Sequence, residues 1–544
     1  MKEEEKLLKL DLEKEQQKQS LNHPEGVKLY LFRTLYSILQ NDTINQFCKI
    51  LFIIFQFIQL MAFPMDTVFS EGWKSFWYET IGNFFRFFQF TYLWGGNTQF
   101  FIITYIITCI FILILVISFI HALVESSTLS YKSKKLFRLI SFLIEFDILL
   151  NIPFLRTLFS VFMCKNGILE ISPDIKCHSN IHICLNIISA IFILAFIILI
   201  IIFKITLYEF GECREKINAS YTSYTEVLLQ ITKFILVILY QFISNATILS
   251  IVTFLLSLIL LFHFINYQPF SNGYSMKLYF ILYLLFFWSS TICFIALLLK
   301  NSKFEGGILL LVLGYPIIII TIGVTEWDFS FEKIFKYLNI KEKDPYKTLL
   351  EIEYFIKMEE SLEDKVSSKE HKILYSYISN HERTCLDNNC PLKKFLNIPL
   401  KVENFIEMKI YLLQHGEMLY KTAVSKFPFN AKLRLSYGLF LYKKLHKKLK
   451  GKNEIIILNK YDTNLEDSFL IYKAQRFIQD DNEEELDNKN NSKIEEKSNS
   501  VNSITYKIIL NKIKSLIGKI ALNYIDFWTM LALSEDNENE NFTK

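Results

Sequence analysis

The chain has 544 residues, of which 51% are apolar and 51 are Phe, and its formal net charge at pH 7 is +4. So small a positive excess, without a basic stripe carrying interleaved aromatics, argues against DNA or RNA as a partner. The apolar content predicts a polytopic membrane protein rather than a series of soluble domains.

Residues 1–43 are predicted to form a charged cytosolic tail. Their first part, MKEEEKLLKLDLEKEQQKQS, carries charges throughout. It lacks the short apolar core and the small-residue cleavage site of a removable signal peptide. We therefore expect it to stay on the chain as a tail.

Residues 44–324 are predicted to form a transmembrane helical bundle of about eight spans. A helix needs about 20 apolar residues to cross roughly 30 Å of hydrocarbon. Windows that meet this requirement lie at 44–64, 99–123, 137–162, 183–207, 227–243, 248–266, 277–299 and 307–324. Only Ser244 to Thr247 separates the fifth window from the sixth. If these two windows formed one long helix, the orientation of every later segment would be reversed.

The distribution of Lys and Arg supports eight spans, because cytosolic loops retain these residues. The second and fourth loops carry such residues, namely Lys132, Lys134, Lys135, Arg138, Lys204, Arg214 and Lys216. Both loops lie in the cytosol if the amino terminus does. The sequence therefore predicts a multi-pass protein of the plasma membrane or an endomembrane, with cytosolic N- and C-termini.

The third loop, CKNGILEISPDIKC, is then expected to face the exterior or a lumen. Disulfides persist in such oxidising compartments. Cys164 and Cys177 are therefore a candidate disulfide. The alternative is a pair of free thiols at the membrane edge.

The third predicted span contains Glu145 and Asp147, and a central carboxylate there costs about 2.5–3.5 kcal/mol. Such residues need a partner inside the bundle. Asn151 shares a helix face with Asp147 at i,i+4, and Arg156 is placed to serve a neighbouring helix. This intramembrane polar cluster is either an ion, proton or ligand site or a structural contact between helices. We favour the structural contact, because only this span carries such a cluster.

After residue 324 the pattern changes to helical periodicity with many charges. Residues 325–478 are predicted to form a cytosolic helical module. Residues 479–503 are nearly free of apolar side chains, which predicts a disordered acidic and polar loop. Residues 504–534 are predicted to form one or two C-terminal helices that pack on the module, and residues 535–544 a polar tail.

The helical module contains a candidate zinc site. His381, Cys385 and Cys390 have the spacing H-x3-C-x4-C, with His371 or His415 as a fourth ligand. Tetrahedral zinc requires four N or S donors, usually in closely spaced pairs, and this spacing is loose. The favoured alternative is a pair of reduced thiols buried at a turn between helices.

A helix–turn–helix corner is predicted around residue 428. Ala423 allows two helices to approach, Phe427 fills the corner, and Pro428 with Asn430 begins the next helix. Helix pairs stacked in this way form a superhelix with a concave face. The alternative is an ordinary helical bundle.

Four strings in the cytosolic half resemble the TPR-repeat module of the TmcB/TmcC family, the tiny-macrocyst-type membrane proteins of protists. They are YISNHERTCLDNNCPLKKF, HGEMLYKTAVSKFPFNAKLRLSYGLFLYKKL, DSFLIYKAQRFIQ and YIDFWTML. The segment IPFLRTLFSVFMC and the order of spans resemble that family's membrane half. The resemblance implies an all-α fold, a polytopic transmembrane helical bundle followed by a cytosolic TPR-like α-helical module.

No enzyme signature is present: the sequence has no GxGxxG after a strand, no P-loop, no HExxH and no kinase set. We expect a non-enzymatic protein without a cofactor, apart from the candidate zinc. The leading hypothesis is a signalling or scaffolding anchor whose helical module binds a protein partner. The alternative is an ion channel or transporter that uses Glu145 and Asp147, although the chain lacks a TVGYG-type filter and an evident inverted repeat.

Overall fold

A computed structural model describes residues 26–42, 44–73, 76–89, 98–125, 133–171, 175–210, 216–217, 219–299, 307–324, 344–361, 377–379, 383 and 405–498. The architecture is all-helical. Two compact units, Met1–Lys473 and Ala474–Lys544, divide the chain.

The helices are α1 (Val27–Gln40), α2 (Gln46–Met61), α3 (Ser70–Trp73), α4 (Phe76–Phe87), α5 (Thr98–Glu125), α6 (Ser133–Ser160), α7 (Asn180–Thr206), α8 (Tyr224–Phe242), α9 (Ala246–Tyr267), α10 (Gly273–Leu298), α11 (Gly307–Val324), α12 (Pro345–Ser361), α13 (Phe405–Lys426), α14 (Ala431–Lys443), α15 (Lys448–Ile457) and α16 (Leu465–Ser498). Short 3-10 helices span Thr67–Phe69 and Leu458–Lys460. Strands β1 (Cys164–Lys165) and β2 (Ile168–Leu169) form an antiparallel hairpin.

Five helices of the described chain, α5, α7, α8, α9 and α10, are long and apolar enough to cross a membrane. The other three predicted spans fall on α2, α6 and α11. The apolar run of α2 has 16 residues, and α6 is interrupted by Glu145 and Asp147. A total of eight spans, and the orientation of the termini, therefore stay predictions.

The fifth and sixth predicted spans are separate helices, α8 and α9. The break comes at Asn245, whose side-chain oxygen accepts hydrogen bonds from the backbone N–H groups of Thr247 (3.0 Å) and Ile248 (3.3 Å). Such a cap satisfies donors that a helix leaves unpaired at its start. The two windows do not form one continuous helix.

The bundle has an aromatic core and an aliphatic surface. Phe57, Phe264 and Tyr283 meet at its centre, with ring centroids 5.0–5.1 Å from Tyr283 to each Phe. The exposed side chains along α5 include the isoleucines Ile103, Ile107, Ile110 and Ile117. A helix that exposes its largest apolar side chains fits a lipid environment.

The third loop forms the β-hairpin and is closed by a disulfide. Cys164 and Cys177 are bonded, which is the pairing that the sequence left open. The turn between the strands is Asn166-Gly167, with φ of 55° and 81°. Two successive positive φ angles match the tight hairpin turn that Asn-Gly favours.

Residues 27–40 depart from the predicted tail of residues 1–43. They form α1, which packs against α5 and α6. Phe32, Leu35 and Ile38 are buried on one face. The interval of three residues between them is the spacing of an amphipathic helix, which the charges earlier in the tail obscure.

Beyond the bundle, α12 packs on α13, α13 on α14, and α14 on α15. The last pair approaches closely at Gly438 and Gly451, since a Cβ added to Gly451 would lie 2.7 Å from the Gly438 carbonyl oxygen. Only glycine allows that separation. Consecutive helices of the described module therefore pack side by side, which fits both a stack of helix pairs and an ordinary helical bundle, so the TPR-like arrangement stays a prediction.

Helix α16 runs from Leu465 to Ser498, and so crosses most of the segment 479–503 that composition predicts to be a disordered loop. The segment 479–498 contains Glu, Gln and Lys but neither Gly nor Pro, which is compatible with a helix that continues from an ordered start. The predicted helices at 504–534 lie outside the described residues.

Candidate functional site

Glu145 and Asp147 are both enclosed, but they belong to different contacts. The Glu145 carboxylate lies 3.4 Å from the Lys49 ammonium of α2, which also pairs with Asp42. Asp147 is buried and has Lys204 and Lys233 as electrostatic neighbours. Neighbouring Asn151 donates to the Gln230 side-chain oxygen at 3.1 Å. Helices α2, α6, α7 and α8 therefore share one polar layer.

Arg156 is separate from this layer. Its guanidinium lies 3.5 Å from the Asp66 carboxylate and 4.8 Å from the centroid of the Phe63 ring. Both partners lie in the segment between α2 and the 3-10 helix that begins at Thr67, and not on a neighbouring helix as the sequence predicts. The predicted cluster of four residues is thus divided into an ion pair and a larger polar layer.

The layer includes three basic residues that the sequence pattern does not single out as site residues: Lys49, Lys204 and Lys233. Lys49 is 4% exposed, and Lys204 pairs with Glu226 at 3.5 Å. Lys233 is 0% exposed, and its Nζ has no hydrogen-bond partner among the described residues. A buried, unpaired ammonium inside a membrane bundle is costly, and such residues are usually functional.

A second charged group joins the bundle to the start of α16, and we call it the clasp: Tyr208, Glu209, Ser223, Lys432, Glu466 and Lys473. At its centre the Glu466 carboxylate accepts from the Tyr208 hydroxyl at 2.7 Å and from the Ser223 N–H at 3.1 Å. The Lys432 ammonium of α14 lies 2.8 Å from the same carboxylate. One buried side chain thus links the bundle, α14 and α16.

Glu209 holds the other side of the clasp. The ammonium groups of Lys473 and Lys216 lie 2.6 and 2.8 Å from its carboxylate oxygens. Burial by itself raises the pKa of a carboxyl group, but these two lysines outweigh it and lower the pKa of Glu209 from 4.5 to about 2. Burial and the Glu466 charge raise the pKa of Tyr208, so the phenol stays protonated and donates.

The low pKa of Glu209 makes the clasp sensitive to acid. Because the folded-state pKa lies below the ordinary value, the stabilisation by Glu209 is complete above pH about 4.5 and is lost as the pH falls towards about 2. We expect the difference in melting temperature between the natural chain and Glu209→Gln to shrink over that range. Thermal unfolding of both proteins at pH 7, 4.5 and 3 measures this difference in melting temperature. A difference at pH 3 as large as that at pH 7 would contradict stabilisation of the clasp by the ionised Glu209 carboxylate.

Aromatic rings also join α1 to the start of α16. The Phe32 ring of α1 lies 5.6 Å from the Phe469 ring and 5.7 Å from the Tyr472 ring of α16. Phe469 is 0% exposed. A second attachment joins α12 to α9, where the Tyr346 hydroxyl donates to the Tyr267 carbonyl at 2.8 Å. The helical module is thus attached to the bundle by apolar and charged contacts together.

The predicted corner lies between α13 and α14. Ala423 is buried, and its carbonyl accepts from the Phe427 N–H at 2.8 Å. The Asn430 side-chain oxygen accepts from the Leu433 N–H at 2.9 Å, which starts α14. Phe427 is half-buried and Pro428 is exposed, so the ring only partly fills the corner.

His381, Cys385 and Cys390 lie outside the described residues, and zinc binding there stays a prediction. His415, one proposed fourth ligand, is buried, and its Nε2 lies 3.3 Å from the Tyr377 hydroxyl. Elsewhere in the described chain, Cys164, Cys177 and His182 place their ligand atoms within 4.8 Å of one another. The disulfide occupies both of those sulfurs.

No family model, curated protein or solved structure matches this chain.

Proposed function

We propose that the protein is a membrane-anchored signalling or scaffolding protein whose cytosolic TPR-like helical module binds a protein partner. The observation that carries this proposal is the clasp. A module joined to the bundle through a buried carboxylate oxygen that contacts Tyr208, Ser223 and Lys432 has a defined position, and a change in the bundle can alter that position. The eight-span topology with cytosolic termini, and the resemblance to the TmcB/TmcC family, are parts of the same proposal.

The module also presents apolar side chains at its surface. Phe429 is 84% exposed at the corner between α13 and α14, and Leu449 is 74% exposed on α15. Aromatic residues of this kind are enriched at the centres of protein interfaces. These two residues are the proposed contact points for the partner.

The test is affinity capture with the full-length chain from the membranes in which it is naturally expressed. A protein retained by the natural chain and lost with Phe429→Asp supports the proposal. The matched control is Lys421→Asp, which changes an exposed side chain on the neighbouring helix α13. If the natural chain, Phe429→Asp and Lys421→Asp all retain the same proteins, the module does not bind through this surface.

A second candidate, an ion channel or transporter, is favoured by the polar layer of the bundle. Asp147 and Lys233 are both buried on helices that line the same layer, and intramembrane ionisable residues often mark ion or proton paths. Transport requires ions or protons to pass through the polar layer. The anchor function requires only that the layer keep the bundle helices packed together.

Ion flux in proteoliposomes distinguishes the two candidates. We expect the purified chain to carry no flux above that of empty liposomes, since four charged groups of the layer form the pairs Lys49–Glu145 and Lys204–Glu226 within the protein. A cation or proton flux that falls at least tenfold with Asp147→Asn, but not with the surface variant Glu170→Gln, would replace the anchor function by transport.

A further inference from the structure

Residues 442–453, which end α14 and begin α15, are strongly basic, and we call them the basic segment. Their sequence, YKKLHKKLKGKN, contains six lysines and one histidine and no acidic residue. Like charges at such short spacing repel one another. The segment therefore keeps an excess of positive charge unless acidic groups from elsewhere lie against it.

Acidic residues of the module offset only part of this charge. The Glu417 carboxylate of α13 contacts the Lys447 ammonium, but it also lies 2.9 Å from the Lys421 ammonium. The carboxylate of Glu454, which follows the segment, lies 3.6 Å from the Arg434 guanidinium of α14. Both carboxylates are thus shared with, or taken by, basic residues outside the segment.

Lys450 and Lys452 carry the uncompensated part of the charge. Lys450 is exposed and Lys452 is half-buried, and neither ammonium group pairs with a carboxylate within the described residues. Leu449, beside them, is 74% exposed. Residues three apart on a helix share a face, so Leu449 and Lys452 are neighbours at the surface. The accessible part of the segment therefore combines two free positive charges with one large apolar side chain.

These three side chains are held in a defined orientation, because the other face of α15 packs closely on α14. Gly451 and Ile455 are the buried residues of α15. A Cβ added to Gly438 of α14 would lie only 2.7 Å from the Ile455 side chain. With positions 451 and 455 turned inward, Leu449 and Lys450 lie on the outer side of the helix and Lys452 at its edge.

The basic segment lies away from the membrane bundle. Helices α12 and α14 both contact the bundle with their first turns. The Tyr346 hydroxyl donates to the Tyr267 carbonyl, and the Lys432 ammonium lies 5.3 Å from the centroid of the Tyr224 ring. Helix α14 has 13 residues, so its other end, where the basic segment begins, is about 18 Å further along the axis. Lipid headgroups beside the bundle are therefore an unsuitable occupant.

A nucleic acid is a poor match as well. Sites for single-stranded nucleic acids usually combine basic residues with aromatic rings on which bases stack. Tyr442 is 4% exposed, so its ring is not available for stacking. The exposed apolar side chain of Leu449 has no counterpart in a phosphate backbone, whereas a peptide supplies both carboxylates and apolar side chains.

We propose that the basic segment binds an acidic protein segment, with carboxylates on Lys450 and Lys452 and an apolar side chain against Leu449. This inference rests on the proposed function, because it assigns a chemical class to the partner of the helical module. An acidic partner is also attracted over a longer range than the contacts themselves, which speeds its association.

Fluorescence anisotropy of a labelled synthetic peptide tests the proposal. The peptide is made of glutamate with a leucine at each fourth position, and the full-length chain is held in nanodiscs of neutral lipid. The buffer contains about 150 mM salt, which screens weak long-range attraction. The competitors are the same peptide with serine for leucine, a single-stranded RNA and phosphatidylserine vesicles. We expect saturable binding against which each competitor is at least tenfold less effective than the unlabelled peptide.

The variants separate the charged from the apolar contact. The double variant Lys450→Glu with Lys452→Glu turns two attractions into repulsions and should weaken peptide binding by at least tenfold. Leu449→Ser should weaken it by roughly fivefold, through loss of buried apolar surface. The matched control is Lys460→Glu, an exposed lysine just after α15, which should bind the peptide like the natural chain. A melting curve checks that each variant is folded.

Three results would overturn the proposal. The first is a folded natural chain that does not bind the peptide. The second is competition by the RNA or by the vesicles as strong as that by the unlabelled peptide, which would assign the segment to a nucleic acid or to a membrane. The third is peptide binding that the double variant does not weaken, or that Lys460→Glu weakens equally, which would mean non-specific attraction.

Affinity capture with the double variant distinguishes failure of this inference from failure of the proposed function. A protein that the natural chain retains, and that both Phe429→Asp and the double variant lose, supports the two together. A protein that Phe429→Asp loses but the double variant retains leaves the proposed function in place and overturns the acidic class of its partner.

Discussion

Replacing Glu466 by alanine should detach the helical module from the bundle and destabilise the attached state by about 3–5 kcal/mol. The substitution leaves the Lys432 ammonium without its carboxylate partner. It also leaves the Tyr208 hydroxyl and the Ser223 N–H without the acceptor they share. Removing one member of a buried group of charges costs more free energy than the intact group contributes to stability. The reason is that the remaining charge stays buried without its partner.

Trypsin cleavage measures this detachment. Lys432 and Lys473 are largely buried in the clasp of the natural chain. Cleavage of a transiently opened segment follows the population of the open form, so a loss of about 3–5 kcal/mol raises the rate after these residues by roughly a hundredfold or more. The control is Asp462→Ala, an exposed acid just before α16. Equal cleavage rates in the natural chain, Asp462→Ala and Glu466→Ala would show that Glu466 does not hold the module.

Replacing Phe469 by alanine should have an effect of similar size through packing alone. Phe469 is fully buried in a cluster with Phe32 and Tyr472, and truncation of a buried Phe costs about 3–5 kcal/mol. The loss comes from the transferred apolar surface and from the cavity that the ring leaves. We expect the first thermal transition of the purified chain to fall by several degrees.

Phe429→Ala is the matched control, because the same side chain is removed from a site that is 84% exposed. Its melting curve should coincide with that of the natural chain. If Phe469→Ala and Phe429→Ala have the same first transition temperature, Phe469 does not pack against Phe32 of α1. Comparison with Glu466→Ala then separates the apolar from the charged contribution to attachment.

The apolar helices were largely predictable from the sequence. The windows 99–123, 183–207 and 248–266 correspond to α5, α7 and α9, with ends that differ by at most a few residues. A continuous apolar run of that length has one stable structure in a membrane. Helix α1 was not predicted, because its amphipathic stripe is short and follows a charged segment. The length of α16 was not predicted either, since polar composition alone does not separate a helix from a disordered loop.

The site was only partly predictable. Glu145 and Asp147 stand out in the sequence, because a carboxylate within an apolar window is rare. Their basic neighbours come from α2, α7 and α8, and only the packing of the bundle brings them together. The clasp left no local signal, since Ser223 and Glu466 are 243 residues apart. Contacts of that range depend on the tertiary fold and not on spacing.

Hydrogen–deuterium exchange of the full-length chain in nanodiscs tests the clasp most directly. We expect the amides of residues 469–473 to exchange slowly in the natural chain, and to exchange much faster in Glu466→Ala while those of α9 are unchanged. Rapid exchange of residues 469–473 in the natural chain would contradict the attachment of the module to the bundle. Exchange that Glu466→Ala does not alter would contradict the central role of that carboxylate.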